Sequence, residues 1–164
     1  GFLNGSTGLM ISPFEVSCTT WGAHESVLTD LRHRVFVIEK GVPEALEVDG
    51  EDVDAVHVMA VLPNDTVIGT GRLLADGHIG RIAVEAVYRR QGVGRAMLTT
   101  LIDMARQQDL ATVHLGALVP AIRFYQGMGF ESEGEEFLDA GIPHQQMVLN
   151  LQRDGKDACI KGCL

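Results

Sequence analysis

Residues 81–96 read RIAVEAVYRRQGVGRA. The apolar run Ile82-Ala83-Val84 leads into Arg89-Arg90-Gln91-Gly92-Val93-Gly94. An amphipathic stretch follows at once, with Val93, Met97, Leu101 and Met104/Ala105 along one side. This order predicts a strand over 79–84, a glycine-bearing turn and a helix over 92–108. The start of a helix presents N–H groups that no carbonyl within the helix can reach, and the helix dipole adds to their field. Such a place binds anions. Gly92 and Gly94 let a phosphate approach the backbone with no Cβ in the way. Arg89, Arg90 and Arg95 add positive charge.

The distribution of charge points the same way. The chain has 22 acidic and 13 basic residues, a formal net charge of −9. Five of the 13 basic residues are Arg72, Arg81, Arg89, Arg90 and Arg95, and no lysine occurs between Lys40 and Lys156. An acidic chain that gathers arginine over one stretch is expected to meet an anion there. The same net charge argues against nucleic acid as a general partner, which needs clustered Lys and Arg to replace counterions. The stretch is not a P-loop, because no Gly-Lys-Ser/Thr follows. It is a poor dinucleotide fingerprint, since Met97 stands where a third Gly or Ala is wanted and the strand lies mid-chain.

Working outward, residues 14–18 alternate weakly and read as a first strand. Thr20 or Ser26 can cap a helix whose stripe is Val27, Leu31, Val35 and Ile38, ended by Gly41 and Pro43. Residues 44–54 hold six acidic side chains and read as a loop or broken helix, either solvated or forming a negative rim. Residues 56–62, 67–74 and 79–84 form a meander, with turns at Pro63-Asn64-Asp65 and Asp76-Gly77. Beyond the long helix, 112–115 is a short strand and 120–128 a second helix, with Pro120 in its first turn and Gly129 ending it. Residues 130–135 and 145–151 are the last two strands. Residues 131–139 are a second acidic run, open to the same two readings. Hairpins first, then alternation with helices, predict an α/β domain with a mixed, mostly antiparallel sheet flanked by helices.

At 164 residues the chain is expected to form one domain, over 10–152. Residues 1–9 read as a tag or scar ahead of Met10, and 153–164 as a loose tail. Hydrophobic residues at 46% and charged residues at 21% are those of a globular protein. No apolar run approaches the ~18 residues of a membrane span, and no secretory leader stands at the start. Cys18, Cys159 and Cys163 do not make a disulfide framework; they read as reduced thiols in a cytoplasmic protein. The six histidines show no metal-ligand spacing, so no metal is expected.

Arg89-x-x-Gly92-x-Gly94 after Ile82-Ala83-Val84 resembles the acetyl-CoA signature of the GNAT family of N-acetyltransferases. Phe124-Tyr125 with Gly129-Phe130 is similar to that family's later motif. Further pieces resemble its small ElaA-like branch: Leu31-Arg32, Val35-Phe36-Val37 and Glu39; Glu47-Val48-Asp49-Gly50 and His57; and Phe137-Leu138-Asp139-Ala140-Gly141-Ile142-Pro143-His144 with Met147. One position departs from the pattern. Leu118 stands where relatives often carry Asn or Gln, which removes a polar contact to pantetheine or substrate.

The resemblance implies a GNAT fold, acetyl-CoA as cosubstrate, and acetyl transfer to a small-molecule or lysine-like primary amine. It is compatible with a homodimer. It implies that Ile82, Ala83 and Val84 align the pantetheine, with a backbone N–H near Ala83 or Val84 as oxyanion donor. Arg89, Arg90, Gln91, Gly92, Val93, Gly94 and Arg95 would hold the pyrophosphate, and Phe124 would touch the cofactor. Tyr125 matches the general acid that protonates the leaving thiolate. The base is open among Glu85, which directly follows the pantetheine strand, Glu39, His57, His144 and a water wire. As a lone histidine among apolar neighbours, His57 reads first as a core hydrogen-bonder. Glu39 and His144 are expected on the acceptor side. The competing reading is a non-catalytic CoA or acyl-CoA sensor of the same fold.

Overall fold

Thr20 opens the first helix, its side-chain oxygen accepting the Ala23 N–H at 3.3 Å. The computed structural model describes residues 13–151. The expected tag at 1–9, the expected tail at 153–164, and Cys159 and Cys163 lie outside the described residues. In chain order the elements are β1 (Glu15–Thr19), α1 (Trp21–Arg32), a π-helix (His33–Glu39), α2 (Glu44–Glu47), β2 (Val56–Val61), β3 (Val67–Leu73) and β4 (Ile79–Val84). A 3-10 turn (Ala86–Tyr88), α3 (Val93–Gln107), β5 (Thr112–Leu118), a second 3-10 turn (Val119–Ala121), α4 (Ile122–Gly127), β6 (Glu131–Ser132), β7 (Phe137–Asp139) and β8 (Ile142–Asn150) complete them. One sheet has the order β1-β2-β3-β4, the other β5-β8-β6 with β7 also on β8. β1 runs antiparallel to β2, and β5, β6 and β7 antiparallel to β8. Among the described residues an isolated parallel bridge joins His78 to His114.

The chain folds as two compact units. One comprises the residues up to Arg72 with Arg81–Leu101; the other comprises Leu73–Gly80 with the chain from Ile102 onward. In the first, Leu31, Val35 and Ala83 form a buried cluster packed by Phe36 and Val67. α3 lies close on β3 because β3 carries glycine there: a Cβ on Gly71 would stand 3.1 Å from Leu101 Cδ1 and 3.3 Å from Ile82 Cγ1. In the second, Val113, Leu115 and Ala117 alternate inward along β5, opposite Leu149 and Met147 of β8. Among the described residues no helix is long and apolar enough to cross a membrane.

Four expectations need correction. The helical stripe ends early: Leu31 and Val35 are buried, but Ile38 is 70% exposed. The helix widens after Arg32, with Lys40 N–H bonding the Val35 carbonyl five residues back, so the α period no longer applies. The strand expected over 130–135 is only Glu131–Ser132, and a strand at Phe137–Asp139 was missed because it lies wholly exposed. The short strand at 112–115 extends to Leu118, because β8 pairs with it over its full length. The helix expected over 120–128 is α-helical only at Ile122–Gly127.

The largest correction concerns charge. Arg72 and Arg81 do not belong to the glycine turn, and the acidic stretch 44–54 divides: Glu44, Glu51 and Asp54 stay exposed, while Glu47, Asp49 and Asp52 close on Arg32, Arg72 and Arg81. Arg32, 2% exposed, bonds Glu47 Oε2 at 2.5 and 2.9 Å and Asp52 Oδ1 at 2.7 Å. Arg72 bonds Asp49 at 2.5 and 3.0 Å and Asp52 Oδ1 at 3.0 Å. Arg81, held at φ +52°, reaches the Glu47 carbonyl at 2.9 Å and Asp49 Oδ2 at 3.2 Å. Trp21 lies under the Arg32 guanidinium, 5.2 Å from its ring centre. The second acidic run, 131–139, is exposed throughout.

His57 belongs to this network as a core histidine. Its Nε2 lies 2.9 Å from the Asp52 carbonyl, so it carries the Nε2 proton. Burial pushes its pKa below the ordinary value, against the upward pull of Asp52. The unfolded chain therefore takes up a proton on this residue, near pH 6.5, before the folded one does, and stability falls as pH drops through that range. Asp49, held well below the usual carboxylate range chiefly by its hydrogen bonds from Arg72, adds a further loss only below about pH 4. The melting temperature is expected to fall by a few degrees between pH 7 and pH 5. His57→Gln should flatten that part of the curve, and an unchanged slope would show that other groups cause it.

Candidate functional site

The glycine turn is built as its sequence predicts. Val84 ends β4, and Glu85 continues the ladder by one bond, its N–H to the Ile68 carbonyl at 2.9 Å. The chain then turns through Ala86–Tyr88, with Arg90 at φ +63° and Gly92 at φ +90°. Gly92 is the residue type that holds this left-handed angle without strain. The first helical bond of α3 runs from Ala96 N–H to the Gly92 carbonyl at 3.0 Å. The amides of Val93, Gly94 and Arg95 thus have no carbonyl of their own helix to bond. A Cβ at Gly92 would meet nothing within 4 Å, and one at Gly94 only Val84 Cγ2 at 4.0 Å. The backbone there is open to an approaching group. The amides, the dipole of a 15-residue helix and two exposed arginines, Arg90 and Arg95, suit the diphosphate of a coenzyme. Gln91 bonds the Val87 carbonyl at 3.3 Å, and its Oε1 is buried without a partner.

Arg89 is not a free cation. Its Nε donates to the Val84 carbonyl at 2.8 Å, and its guanidinium grips Glu39 at 2.5 and 2.7 Å. That grip holds the Glu39 carboxyl below its ordinary pKa and raises the Arg89 pKa. Glu85 is bound by Arg34 at 2.5 and 3.1 Å. Arg34 escaped the sequence reading, since a partner 51 residues away leaves no trace in local periodicity. Ala83, between Ile82 and Val84, is buried. The Val84 carbonyl is already used by Arg89.

The second unit holds Phe124, Tyr125 and His144. Tyr125 stands edge-on to Phe124 and to Phe130, with ring centres 5.1 and 5.8 Å apart. The Tyr125 carbonyl accepts from Met128 and Phe130 N–H, each at 3.0 Å, as the chain leaves α4. Burial pushes the phenol above its ordinary pKa. Phe124 is 39% exposed. His144 Nδ1 lies 2.7 Å from the Ile142 carbonyl, so the proton sits on Nδ1 and Nε2 keeps its lone pair. Its ring stacks on Phe137, and it pairs across the sheet with Leu118. Among the described residues no group of His, Cys, Asp and Glu is arranged to hold a metal ion.

A mixed, mostly antiparallel α/β fold with a strand, glycine turn and helix of this kind defines an acyl-CoA N-acyltransferase architecture. The chain belongs to the GNAT acetyltransferase family: residues 25–151 match its acetyltransferase (GNAT) domain. It is 32% identical over 130 residues to the protein ElaA of Escherichia coli, covering 74% of this chain and 84% of that one. The crystal structure of E. coli ElaA superposes with a TM-score of 0.75 at 26% identity, over 84% of this chain and 100% of the other. An acyl-CoA N-acyltransferase from Pseudomonas aeruginosa is similar at 29% identity and a TM-score of 0.74, over 84% of this chain and 99% of the other.

Proposed function

We propose that the chain transfers an acetyl group from acetyl-CoA to a primary amine by direct attack, through a tetrahedral intermediate. The observation that carries this reading is the open glycine turn at the start of α3, with free amides, no obstructing side chain and Arg90 and Arg95 beside it. The pyrophosphate lies on that turn and the pantetheine along Ile82–Val84, where the Val84 amide is the oxyanion donor. The amine nitrogen bonds to the carbonyl carbon, the C–S bond breaks, and the thiolate takes its proton from the Tyr125 hydroxyl. Burial pushes the Tyr125 phenol above its ordinary pKa of about 10, so it holds its proton at neutral pH and yields it to a thiolate, whose acid has an ordinary pKa of about 8.5, only as the site tunes both groups. The proton lost by the amine passes to Glu85, directly or through water. His144 Nε2, with its lone pair free, accepts a hydrogen bond from the acceptor.

Thermal unfolding with ligand tests the cofactor half of this reading. Acetyl-CoA or CoA at 100 times its Kd adds about 2.7 kcal/mol of stability, an expected rise of several degrees in Tm for a chain this size. ATP serves as a control and should shift Tm far less. No shift with millimolar acetyl-CoA would remove the turn as a coenzyme site.

A further inference from the structure

The π-helix His33–Glu39 presents two oppositely charged side chains to the segment between β4 and α3, and that segment answers with the charges reversed. Arg34 meets Glu85, and Glu39 meets Arg89. In an α-helix, residues five apart point about 140° away from each other round the axis. In i→i+5 bonding five residues make little more than one turn, so the two side chains come to the same side of the helix. The widened turn, marked by the Lys40 N–H bond to the Val35 carbonyl, is therefore what lets Arg34 and Glu39 reach the same segment. Glu85 and Arg89 bracket the 3-10 turn Ala86–Tyr88 at its two ends. The contact then passes into the strand, because Arg89 also holds the Val84 carbonyl at 2.8 Å.

We propose that this π-helix is a clamp that sets the geometry of the coenzyme turn through two charge-reversed ion pairs, with Glu39 and Arg34 as positioning residues. The proposal rests on the coenzyme reading above. It gives Glu39 a place different from the acceptor side: Glu39 acts through Arg89, fixing the point where the chain leaves β4 and so the direction in which the free amides of α3 aim. Both pairs are partly solvated, with Arg34 and Glu85 at 51% and 27% exposure and Arg89 and Glu39 at 33% and 40%. Exposed pairs add little to global stability. Their loss is therefore expected to appear in local order and ligand affinity, with the fold intact.

Amide hydrogen exchange on the ligand-free protein, with acetyl-CoA affinity measured alongside, decides it. In Glu39→Gln, amides of residues 85–92 are expected to exchange about tenfold faster, while those of β8 stay unchanged. The Kd and KM for acetyl-CoA are expected to rise about fivefold, with kcat within twofold. Glu39→Asp, which keeps the charge, should restore most of both. Arg34→Gln should speed exchange over the same amides more weakly, and only its exchange is compared, because Arg34 also holds Glu85. Unchanged exchange over 85–92 in Glu39→Gln overturns the clamp. So does a rise confined to the KM of the amine, which would return Glu39 to the acceptor. A wild-type protein that binds no acetyl-CoA defeats the coenzyme reading, and the exchange result still decides whether the clamp exists.

Discussion

Replacing Arg32 by methionine is expected to cost about 3–5 kcal/mol, because it leaves Glu47 and Asp52 charged and short of partners in a buried place. At this chain length that corresponds to a fall in Tm on the order of 10 °C. The argument rests on geometry. Arg32 is 2% exposed and is the group that bonds both Glu47 and Asp52, which are 5% exposed each. Without it, Glu47 keeps Arg81 at 3.2 Å and Asp52 keeps Arg72 at 3.0 Å. Burial alone drives the Asp52 pKa up; the bonds from Arg32, then Arg72, outweigh it and hold the carboxyl below its ordinary value. Removing Arg32 removes the larger of those two supports. The Trp21 face loses its cation at the same time. Thermal or urea unfolding near pH 7 measures the loss. A change under 1 kcal/mol would mean that the network relaxes or takes in water, and that it does not hold the first unit together as its distances imply.

Tyr125→Phe is expected to lower kcat about 10²- to 10⁴-fold, the range for a general acid, and to leave acetyl-CoA affinity within about threefold. The ring stays, so the edge-on contacts with Phe124 and Phe130 survive and the fold should not change. Among the described residues no hydrogen bond to another group uses the Tyr125 hydroxyl, so its removal strands no partner. Thiol release measured with a saturating amine, beside ligand-induced melting shifts, separates the two quantities. Equal losses in kcat and affinity would make Tyr125 a binding residue. An unaffected kcat would move the proton donor elsewhere and reopen the reading of a sensor without chemistry.

Much of the fold could be read along the chain, for an identifiable reason. The strand, turn and helix over 79–107 are set by local terms: apolar runs of the right period and a glycine, Gly92, where the backbone needs a positive φ; Thr20 marks the start of α1 in the same local way, by capping it. The meander strands follow from turn chemistry at Asn64-Asp65 and Asp76-Gly77. Local terms fail where a partner far away in sequence decides. β7 has three exposed residues and exists because β8 offers its edge. The short strand after α3 runs on to Leu118 for the same reason.

The chemistry divides along the same line. By itself the sequence determined the family and the glycine turn between β4 and α3, because short motifs with tight spacing carry them, and it left the base open among Glu85, Glu39, His57 and His144. It could not tell which arginines were free. Counted along the chain, Arg72, Arg81 and Arg89 looked like anion-binding charge. In the folded protein, carboxylates 15 to 50 residues away hold Arg32, Arg72, Arg81 and Arg89, and Arg90 and Arg95 remain exposed. Whether a charge serves a ligand or the protein depends on what lies within a few ångströms of it. Only tertiary structure sets that distance, just as only the widened turn at His33–Glu39 brings Arg34 and Glu39 to the same segment.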